Sequence, residues 1–502
     1  TGAHSLKYGK TDAYIEEVEA VLADGTVTRF GEVTLAEISE RADPDGDLEG
    51  RIYAEVERIL EEDADLIDET YPDLKRNVSG YNLDRLVAEA RGDDLPGGEA
   101  TGEPGTVNLA RLLAGSEGTL AIVTEATLSL EPVPETKAVT LLCYPDLHEA
   151  MRDVEPILEH DPAAVEVLDD VLIDLARDTA EFGPVTEILP EGTNAVLLVE
   201  FYAEDAAHGK EQVAGLLADR VPSVDPTGEP AADAPQTAAE TLAMEALEAY
   251  DEAERAKLWK LRKSGLPILL SRTTDAKHIS FIEDTAIPPA HLPEFVEGFE
   301  EILETHDTDA SFYAHAGPGV LHIRPLVNTK TEVGLEQLHG IADDVTDLVV
   351  ELGGSVSGEH GDGRARTQWN HKLYGDELWE TFQDLKTAFD PDWLLNPGQV
   401  VFRDDDPTDL REHLRFDPDY DFEAGFEPAL QWNNDNGMQG MVELCHGCGG
   451  CRGEQSTTGG VMCPTYRASR EEITATRGRA NALRQAMSGG LESDEAVSDE
   501  FV

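Results

Sequence analysis

Four of the five cysteines of the chain lie within one short region near residue 450. Cys445, Cys448 and Cys451 form the pattern C-x2-C-x2-C, and Cys463 follows directly before Pro464. Thiolates at this spacing surround one corner of a 4Fe-4S cluster, and a more distant cysteine before proline completes a ligand set. A zinc site is the alternative, but zinc more often uses two separated C-x2-C pairs. The motif favours an iron–sulfur cluster and leaves open whether Cys463 serves this cluster or, as in two-cluster ferredoxins, another one.

Three histidines and a glutamate form a second set of side chains that could do chemistry. His315 and His322 lie in FYAHAGPGVLHIRP, while Glu359 and His360 lie in GSVSGEHGDGR. The segment Gly317-Pro318-Gly319 forbids a helix between the first two histidines, so a tight turn between two strands can place both imidazoles on one face. Two histidines and one glutamate form an open metal site with positions free for a substrate. Spacing alone leaves the alternative that each histidine is an ordinary hydrogen-bonded residue.

A glycine-rich turn in GSEGTLAIVTE, from Gly115 to Glu125, is a third and weaker signal. A turn before a strand needs glycine for backbone reasons alone. The segment lacks the Gly-Lys-Ser/Thr ending of a phosphate-binding Walker A loop and the G-x-G-x-x-G pattern of a Rossmann fold.

Alternating strands and helices must position these groups. A hairpin is predicted over 14–30 with its turn at Asp24-Gly25, followed by helices within 51–90 and a strand from Leu120 to Leu130. From residue 138 onward, apolar strands (AVTLLCY, AVLLVEFY) alternate with amphipathic helices. Further helices are predicted over 238–270, 291–305, 331–352 and 371–389.

The charge of the chain excludes several classes of function. It carries 103 Asp and Glu against 38 Lys and Arg, a formal net charge of −65. Such a surface repels phosphate backbones and anionic lipid headgroups, which argues against nucleic acid as a partner. Because 40% of the residues are hydrophobic and follow periodic patterns, the charge indicates a folded halophilic protein of the cytoplasm rather than disorder, with an unusually acidic mesophilic protein as the alternative. No sequence window approaches the roughly 18 apolar residues of a transmembrane helix.

The motifs keep the order seen in one known family. The chain resembles the FAD-linked D-2-hydroxy-acid dehydrogenases (D-lactate, glycolate and D-2-hydroxyglutarate) of the vanillyl-alcohol-oxidase-like fold, in the subgroup with a fused iron–sulfur domain. The matching stretches are SLKYGKT, SGYNLDRL, GSEGTLAIVTE, LWKLRKSG, FIEDTAIPPAHL, the histidine segments, FDPDWLLNPGQVV and CHGCGGC…CPTYR.

This resemblance implies an α+β fold in several parts. Residues 1–135 would be the C-terminal half of a PCMH-type FAD-binding domain, and residues 136–403 a ferredoxin-like α+β substrate (cap) domain. An acidic linker over 404–440 would lead to a small α-helical, partial 4Fe-4S ferredoxin-type domain over 441–502.

The family also implies roles for individual residues. His315, His322 and Glu359 match ligands of a divalent metal (Zn or Mn-like), His360 matches the adjacent catalytic base, and Arg262 matches an arginine that grips the substrate carboxylate. The positions that match FAD-binding segments are Ser79, Gly80, Tyr81, Gly115, Ser116, Gly118, Thr119, Ile122, Val123 and Asn396.

The implied activity is oxidation of a D-2-hydroxy acid, D-lactate foremost, by hydride transfer to FAD. Electrons would leave through the 4Fe-4S cluster to a respiratory acceptor such as a quinone, a cytochrome or an electron-transfer protein. The alternatives are a D-2-hydroxyglutarate dehydrogenase and, in another class, a non-catalytic iron–sulfur electron-transfer subunit. A homodimer and peripheral association with the inner face of the membrane are compatible with the resemblance.

The chain departs from the family at two points. Arg324 replaces an asparagine of metal-dependent relatives, and we expect its guanidinium to bind a second acidic group of the substrate or to replace the carboxylate grip. Relatives also have a whole subdomain before SLKYG, with the glycine-rich loop that cradles the FAD pyrophosphate. We therefore expect the 502 residues to be a fragment that does not hold FAD tightly by itself.

Overall fold

The computed structural model describes residues 2–95, 104–177, 183–221, 243–403, 408–423, 427–447, 449–453 and 463–490. The chain divides into two compact units. The first consists of Thr1–Gly265, Ser280–Arg324 and His339–Glu412, and the second of Leu266–Ile279, Pro325–Leu338 and His413–Val502. Helices and sheets are mixed along the chain, so the predicted α+β class is confirmed.

The elements are numbered in chain order. The strands β1 to β13 are Ile15–Val21, Val27–Phe30, Glu32–Thr34, Thr106–Asn108, Ile122–Leu128, Thr136–Tyr144, Ala164–Leu168, Ala195–Ala203, Glu245–Ala249, Lys277–His278, Thr285–Ala286, Ala310–His315 and Val320–Val327. The α-helices α1 to α19 are Ser5–Tyr8, Leu35–Arg41, Leu48–Arg58, Ala64–Thr70, Leu83–Arg91, Leu109–Leu113, Leu147–Arg152, Val154–Leu158, Asp170–Arg177, Gly183–Thr186, Ala206–Arg220, Glu252–Leu269, Leu292–Thr305, Glu332–Glu351, Gly363–Arg366, Asn370–Phe389, Gly437–Val442, Pro464–Ser469 and Thr476–Met487.

The N-terminal part of the first unit is built on a small antiparallel sheet with the order β2-β1-β5. The predicted hairpin is confirmed, and Gly25 in its turn has a φ of 85°, a conformation that favours glycine. Helix α16 returns from much later in the chain and packs against α3. Its side chains Phe382 and Phe389 join Tyr81 and Ile52 in one buried core, so the segments before and after the large sheet are held together.

The large sheet of the first unit has the antiparallel order β13-β12-β7-β8-β6-β9, with the short strand β11 paired to β13. Strands β6 and β8 are buried along almost their whole length, and helix α11 packs against both. A strand that is covered in this way reads as a nearly continuous apolar run, which is the pattern of VTLLCY and AVLLVEF.

The predicted helix over 238–270 is wrong in its first part. Residues Glu245–Ala249 form β9, which pairs with β6 from Cys143↔Glu245 to Val139↔Ala249, and the helix α12 starts at Glu252. The composition of MEALEAY favours a helix, but the free edge of β6 offers backbone partners that outweigh this local preference.

In the second unit, β10 pairs with the last residues of β13, with His278 opposite Leu326. Helices α17, α18 and α19 lie in the region of the cysteines, and α19 confirms the helix expected in RGRANALRQAM. None of the helices in the described part of the chain is both long and apolar enough to cross a membrane.

Candidate active site

The hairpin between β12 and β13 brings the first two predicted ligands together. His315 ends β12, His322 lies in β13, and their ring centroids are 4.9 Å apart. Gly319 in the turn has a φ of 76°, and its carbonyl accepts a hydrogen bond of 2.9 Å from the backbone N–H of Ile287. The tight turn expected from Gly-Pro-Gly is present.

The loop that carries Glu359 and His360 is held by one buried carboxylate. Asp284 Oδ2 accepts hydrogen bonds from the backbone N–H of His360 at 2.7 Å and of Glu359 at 3.2 Å. It also accepts a bond of 2.5 Å from the Ser357 hydroxyl. These bonds fix the loop against the sheet, so that the Glu359 side chain points to the histidines of the hairpin.

Three imidazoles converge on a single oxygen atom. Glu359 Oε1 lies 3.3 Å from His315 Nε2, 3.2 Å from His322 Nε2 and 3.3 Å from His360 Nε2. Ligands bound about 2.1 Å from one ion stand about 3.0–3.4 Å apart in octahedral or tetrahedral geometry. The nitrogen and carboxylate donors therefore fit a Zn or Mn-like ion in both type and spacing. Among the described residues, Asp284, His322, Glu359 and His360 have potential ligand atoms that all lie within 4.8 Å of one another, and this group does not include the predicted ligand His315.

Two further carboxylates stand behind the imidazoles, and sequence reasoning missed both. Glu166 on β7 lies directly opposite His315 on β12, and its Oε1 is 2.8 Å from His315 Nδ1. Glu283 lies 3.3 Å from the Nδ1 atoms of both His322 and His360. The signal in the sequence was a charged residue inside an otherwise apolar strand, AVEVL, and the acidic pair Glu283-Asp284 in FIEDTAIPP.

The carboxylates dominate the protonation of the centre. Although burial disfavours the imidazolium, Glu166 and Glu359 raise the pKa of His315 to about 9. Burial also lowers the pKa of His360, but Glu283 and Glu359 outweigh it and raise this pKa to about 10. Burial alone would raise the pKa of Glu359, but the three imidazoles hold it far below its usual value. A divalent cation on Glu359 would oppose these carboxylates and favour neutral imidazoles, as metal ligation requires.

The guanidinium groups of the two predicted arginines both lie over the Tyr313 ring, at 5.2 Å from its centroid for Arg262 and 5.7 Å for Arg324, but their surroundings differ. Arg262 Nε is 2.8 Å from Glu166 Oε2, and its NH1 and NH2 make no hydrogen bond to any residue that the structure describes. Arg324 bonds through Nε to the Tyr313 hydroxyl at 2.8 Å, through NH1 to Ser280 and through NH2 to Glu283 at 3.4 Å. Both guanidinium groups are buried.

The segments matched to FAD binding also come together. The hydroxyls of Tyr81 and Thr119 are 2.9 Å apart, and the Asn396 amide donates a bond of 2.7 Å to the carbonyl of Glu117. Lys386 Nζ bonds to the carbonyls of Thr119 at 2.6 Å and of Leu395 at 2.8 Å, which ties the glycine-rich turn to the segment of Asn396.

The surface around this turn has the features that a flat cofactor needs. The space beside Gly115 and Gly118 is open, so a ligand can approach the backbone. Ile122 and Val123 on β5 are 55% and 46% exposed, unusual for apolar residues of a strand. The matched positions Ser79, Gly80, Tyr81, Ser116 and Thr119 are buried, so these residues are not exposed to a cofactor. The exposed positions Gly115, Gly118, Ile122 and Val123 therefore fit a flat cofactor such as FAD.

One cavity of about 200 Å³ joins the two groups of residues. Gly115 and Glu117 line it from the glycine-rich turn, and Glu359 and His360 line it from the metal-type centre. His360, with 41% of its side chain exposed, is the most open of the three imidazoles.

In the second unit, part of the cysteine motif is described. Cys451 packs against a small buried cluster that contains Cys463, and the Asn481 amide approaches Cys445 Sγ at 3.8 Å. A hydrogen bond with Thr465 contributes most to lowering the pKa of the Cys463 thiol to about 7, which favours the thiolate needed for cluster binding. Cys448 lies outside the described residues.

An α+β fold with clustered histidines and an exposed glycine-rich turn is compatible with a flavin-dependent oxidoreductase. The chain belongs to the FAD-linked oxidases: residues 133–400 match the family described as "FAD linked oxidases, C-terminal domain". The curated proteins to which it is similar are named for D-2-hydroxyglutarate, for D-lactate and for the achiral 2-hydroxy acid glycolate, so the resemblance to the family of FAD-linked D-2-hydroxy-acid dehydrogenases is confirmed.

Three relatives illustrate this similarity. The D-2-hydroxyglutarate dehydrogenase of Pantoea ananatis is 30% identical over 97% of this chain and 44% of its own length. The D-lactate dehydrogenase of Archaeoglobus fulgidus is 25% identical over 80% of this chain and 67% of its own. The glycolate oxidase subunit GlcD of Bacillus subtilis is 29% identical over 66% of this chain and 65% of its own.

The extent of these matches differs between the relatives. The chain spans less than half of the length of the D-2-hydroxyglutarate dehydrogenases it matches. Among solved structures, 4-ethylphenol oxidase from Gulosibacter chungangensis aligns over 79% of this chain and 68% of its own, with a TM-score of 0.45 and 13% identity.

Proposed function

We propose that the chain forms the substrate-binding part of an FAD-dependent dehydrogenase that oxidises a D-2-hydroxy acid to the 2-oxo acid. The cavity lined by Gly115, Glu117, Glu359 and His360 supports this proposal, because residues of the glycine-rich turn and of the His/Glu centre would contact the same bound substrate. The division into residues 1–135, 136–403, 404–440 and 441–502 is part of the proposal.

In this proposal the residues of the centre divide the work. When bound, a divalent ion supplies Lewis acidity and FAD supplies a two-electron acceptor. His315, His322 and Glu359 would hold the ion, while Arg262 binds the substrate carboxylate through its terminal nitrogens. His360, open to the cavity, receives the hydroxyl proton at Nε2 once its imidazole is neutral.

The substrate that we place first is D-2-hydroxyglutarate. Relatives of that name match 97% of this chain or more, at 26–30% identity. D-Lactate is the second candidate, because the D-lactate dehydrogenase of Archaeoglobus fulgidus is covered over 67% of its length. The bonds of Arg324 to groups of its own chain also favour D-lactate, since they reduce its availability for a second carboxylate.

We further propose that Cys445, Cys448, Cys451 and Cys463 bind a 4Fe-4S cluster that passes electrons to a quinone, a cytochrome or an electron-transfer protein. Cys451 packs against the buried residues Cys463, Tyr466 and Ala475, and its proximity to Cys463 supports binding of one cluster by both thiols. The high density of acidic residues supports a halophilic cytoplasmic protein.

A single experiment tests the proposal. The gene extended to the length of the relatives is expressed and assayed at molar salt with a dye acceptor and a panel of D- and L-2-hydroxy acids. We expect turnover of D-2-hydroxy acids only, at least tenfold less in the His360→Ala variant, and an electron paramagnetic resonance signal of a reduced cluster after substrate addition. Lack of turnover with every hydroxy acid by a protein that contains FAD would refute the proposed function.

A further inference from the structure

We propose that Glu283 is a positioning residue that orients His322 and His360 together, and that Arg324 acts through Glu283 rather than on the substrate. The inference rests on the proposed function, because it concerns the same metal-type centre. It assigns Arg324 a different role from the one expected from the sequence, namely binding of a second acidic group of the substrate.

Glu283 divides its two oxygens between the two imidazoles. Oε1 lies 3.3 Å from His360 Nδ1, and Oε2 lies 3.3 Å from His322 Nδ1. The two rings are stacked with centroids 5.2 Å apart and an angle of 12° between their planes. A carboxylate that spans the Nδ1 edge of such a stack turns both Nε2 atoms to the opposite side, where both lie within 3.3 Å of Glu359 Oε1.

Because the Nδ1 atom of His322 is buried, it needs a hydrogen-bond acceptor from the protein. His322 is 4% exposed, and its Nδ1 has no well-aligned hydrogen bond within the described residues. A buried N–H without a partner is costly, and Glu283, itself 5% exposed, is the acceptor within reach. Histidine ligands of metals usually donate their second N–H to a carboxylate, which fixes the tautomer and the ring orientation.

Arg324 supplies the positive charge that a buried carboxylate requires. Its NH2 is 3.4 Å from Glu283 Oε2, and its other two nitrogens bond to the Tyr313 hydroxyl and to Ser280. Removing one partner of a buried ion pair leaves the other without compensation. Without Arg324 the Glu283 carboxylate would lose its anchor, and both imidazoles would lose their common acceptor.

The comparison with Arg262 separates two roles for similar side chains. Glu166 pairs with His315 Nδ1 and with Arg262 Nε, just as Glu283 pairs with two imidazoles and Arg324. The terminal nitrogens of Arg262 have no hydrogen-bond partner among the described residues, whereas those of Arg324 bond to Ser280 and Glu283. Arg262 is therefore the arginine suited to a substrate carboxylate, and Arg324 the one suited to the histidines.

The test measures binding of metal alone to the 502-residue chain with Cys445, Cys448, Cys451 and Cys463 replaced by serine, so that the cysteine motif does not take up the Zn²⁺ or Co²⁺. Zn²⁺ affinity is determined by chelator competition, and Co²⁺ absorption reports the coordination geometry, for Glu283→Gln, Arg324→Gln and a matched control, Asp153→Asn. Asp153 is also a buried carboxylate, bonded to the Tyr144 hydroxyl at 2.7 Å and 3.4 Å from Arg220 Nε, but it lies outside the candidate site. We expect E283Q and R324Q to weaken Zn²⁺ binding about 10- to 100-fold and to change the Co²⁺ spectrum, with D153N close to the parent.

The outcomes separate this inference from the proposed function. Zn²⁺ affinity of both E283Q and R324Q within threefold of the parent would overturn the positioning role and leave the metal site intact. A parent chain that binds neither Zn²⁺ nor Mn²⁺ would overturn the metal site and this inference with it. If E283Q does not fold, R324Q carries the test, and Arg324→Lys, which keeps the positive charge beside Glu283, should bind Zn²⁺ more tightly than R324Q. In the extended enzyme, R324Q should lower kcat with similar KM effects for D-lactate and D-2-hydroxyglutarate; a selective rise in KM for the dicarboxylate would assign Arg324 to the substrate.

Discussion

Replacing Gly319 by alanine is expected to damage both the stability of the first unit and the candidate metal centre. Gly319 lies in the turn between β12 and β13 with a φ of 76°. A Cβ at this position would stand 1.9 Å from the carbonyl oxygen of Ile287. This carbonyl belongs to the segment that follows β11, which pairs with β13 through Ala286 and Val320.

The expected magnitude has two parts. Alanine in the left-handed region costs about 1–2 kcal/mol relative to glycine. A carbon and an oxygen in close contact keep about 3.3 Å between them, so relief of the clash requires a displacement of about 1.4 Å. Such a shift in a packed sheet adds about 1–3 kcal/mol. We therefore expect Gly319→Ala to lower the free energy of unfolding by about 2–5 kcal/mol and to weaken Zn²⁺ binding, since Glu283 and Asp284 directly precede β11.

The matched control is Gly25→Ala in the hairpin of β1 and β2. Gly25 has a φ of 85°, but an added Cβ would have no atom within 4 Å, so only the backbone cost of about 1–2 kcal/mol applies. Denaturant unfolding at molar salt and Zn²⁺ competition are measured for both variants. Equal destabilisation by the two substitutions, or undiminished Zn²⁺ affinity of G319A, would refute the reasoning.

Two further predictions concern buried charges. Burial raises the pKa of Asp169 to about 7, against hydrogen bonds from the backbone N–H groups of Phe312 and Leu172. The folded chain keeps this proton up to about pH 7 whereas the unfolded chain releases it near pH 4, so the group's contribution to stability falls as pH rises between these values. The unfolding free energy of the parent relative to Asp169→Asn should therefore decrease from pH 5 to pH 8; a constant difference would contradict this. Lys386→Met should destabilise the chain by about 3–5 kcal/mol, because Lys386 and Asp390 form a buried ion pair with an N–O distance of 2.6 Å; in denaturant titrations, a loss below 1 kcal/mol would show that the charge is not required.

Local patterns allowed much of the fold to be predicted. The hairpin at Asp24-Gly25, the strands β6 and β8 and the helices α13, α14 and α16 follow from turn residues and from apolar periodicity, which depend on neighbours in the sequence. The strand β9 was mistaken for a helix because the partner that makes it a strand, the edge of β6, lies about a hundred residues away.

The residue types of the candidate site were also visible in the sequence, but the contacts between their side chains were not. The motifs placed the histidines, Glu359 and the glycine-rich turn in one site because they keep the order of a known family. Which groups Arg262 and Arg324 bind is decided by the burial and the hydrogen-bond partners of each guanidinium group. Both depend on the residues that the fold places around it. Arg324 was therefore expected at the substrate, whereas its nitrogens bond to Tyr313, Ser280 and Glu283.

The sequence by itself determined the family, because the motifs keep that family's order along the chain. It also determined the turn between the two ligand strands, because Gly-Pro-Gly permits no helix, and the donor atoms, because histidine and glutamate offer only nitrogen and oxygen to a metal. Only the tertiary structure decided which carboxylates stand behind the imidazoles. Glu166 meets His315 because β7 and β12 pair in one register, and Glu283 meets His322 and His360 because β11 pairs with β13 beside the loop of residue 360. Strand register between segments far apart in the chain is set by the packing of the whole sheet, so no local pattern could reveal these contacts.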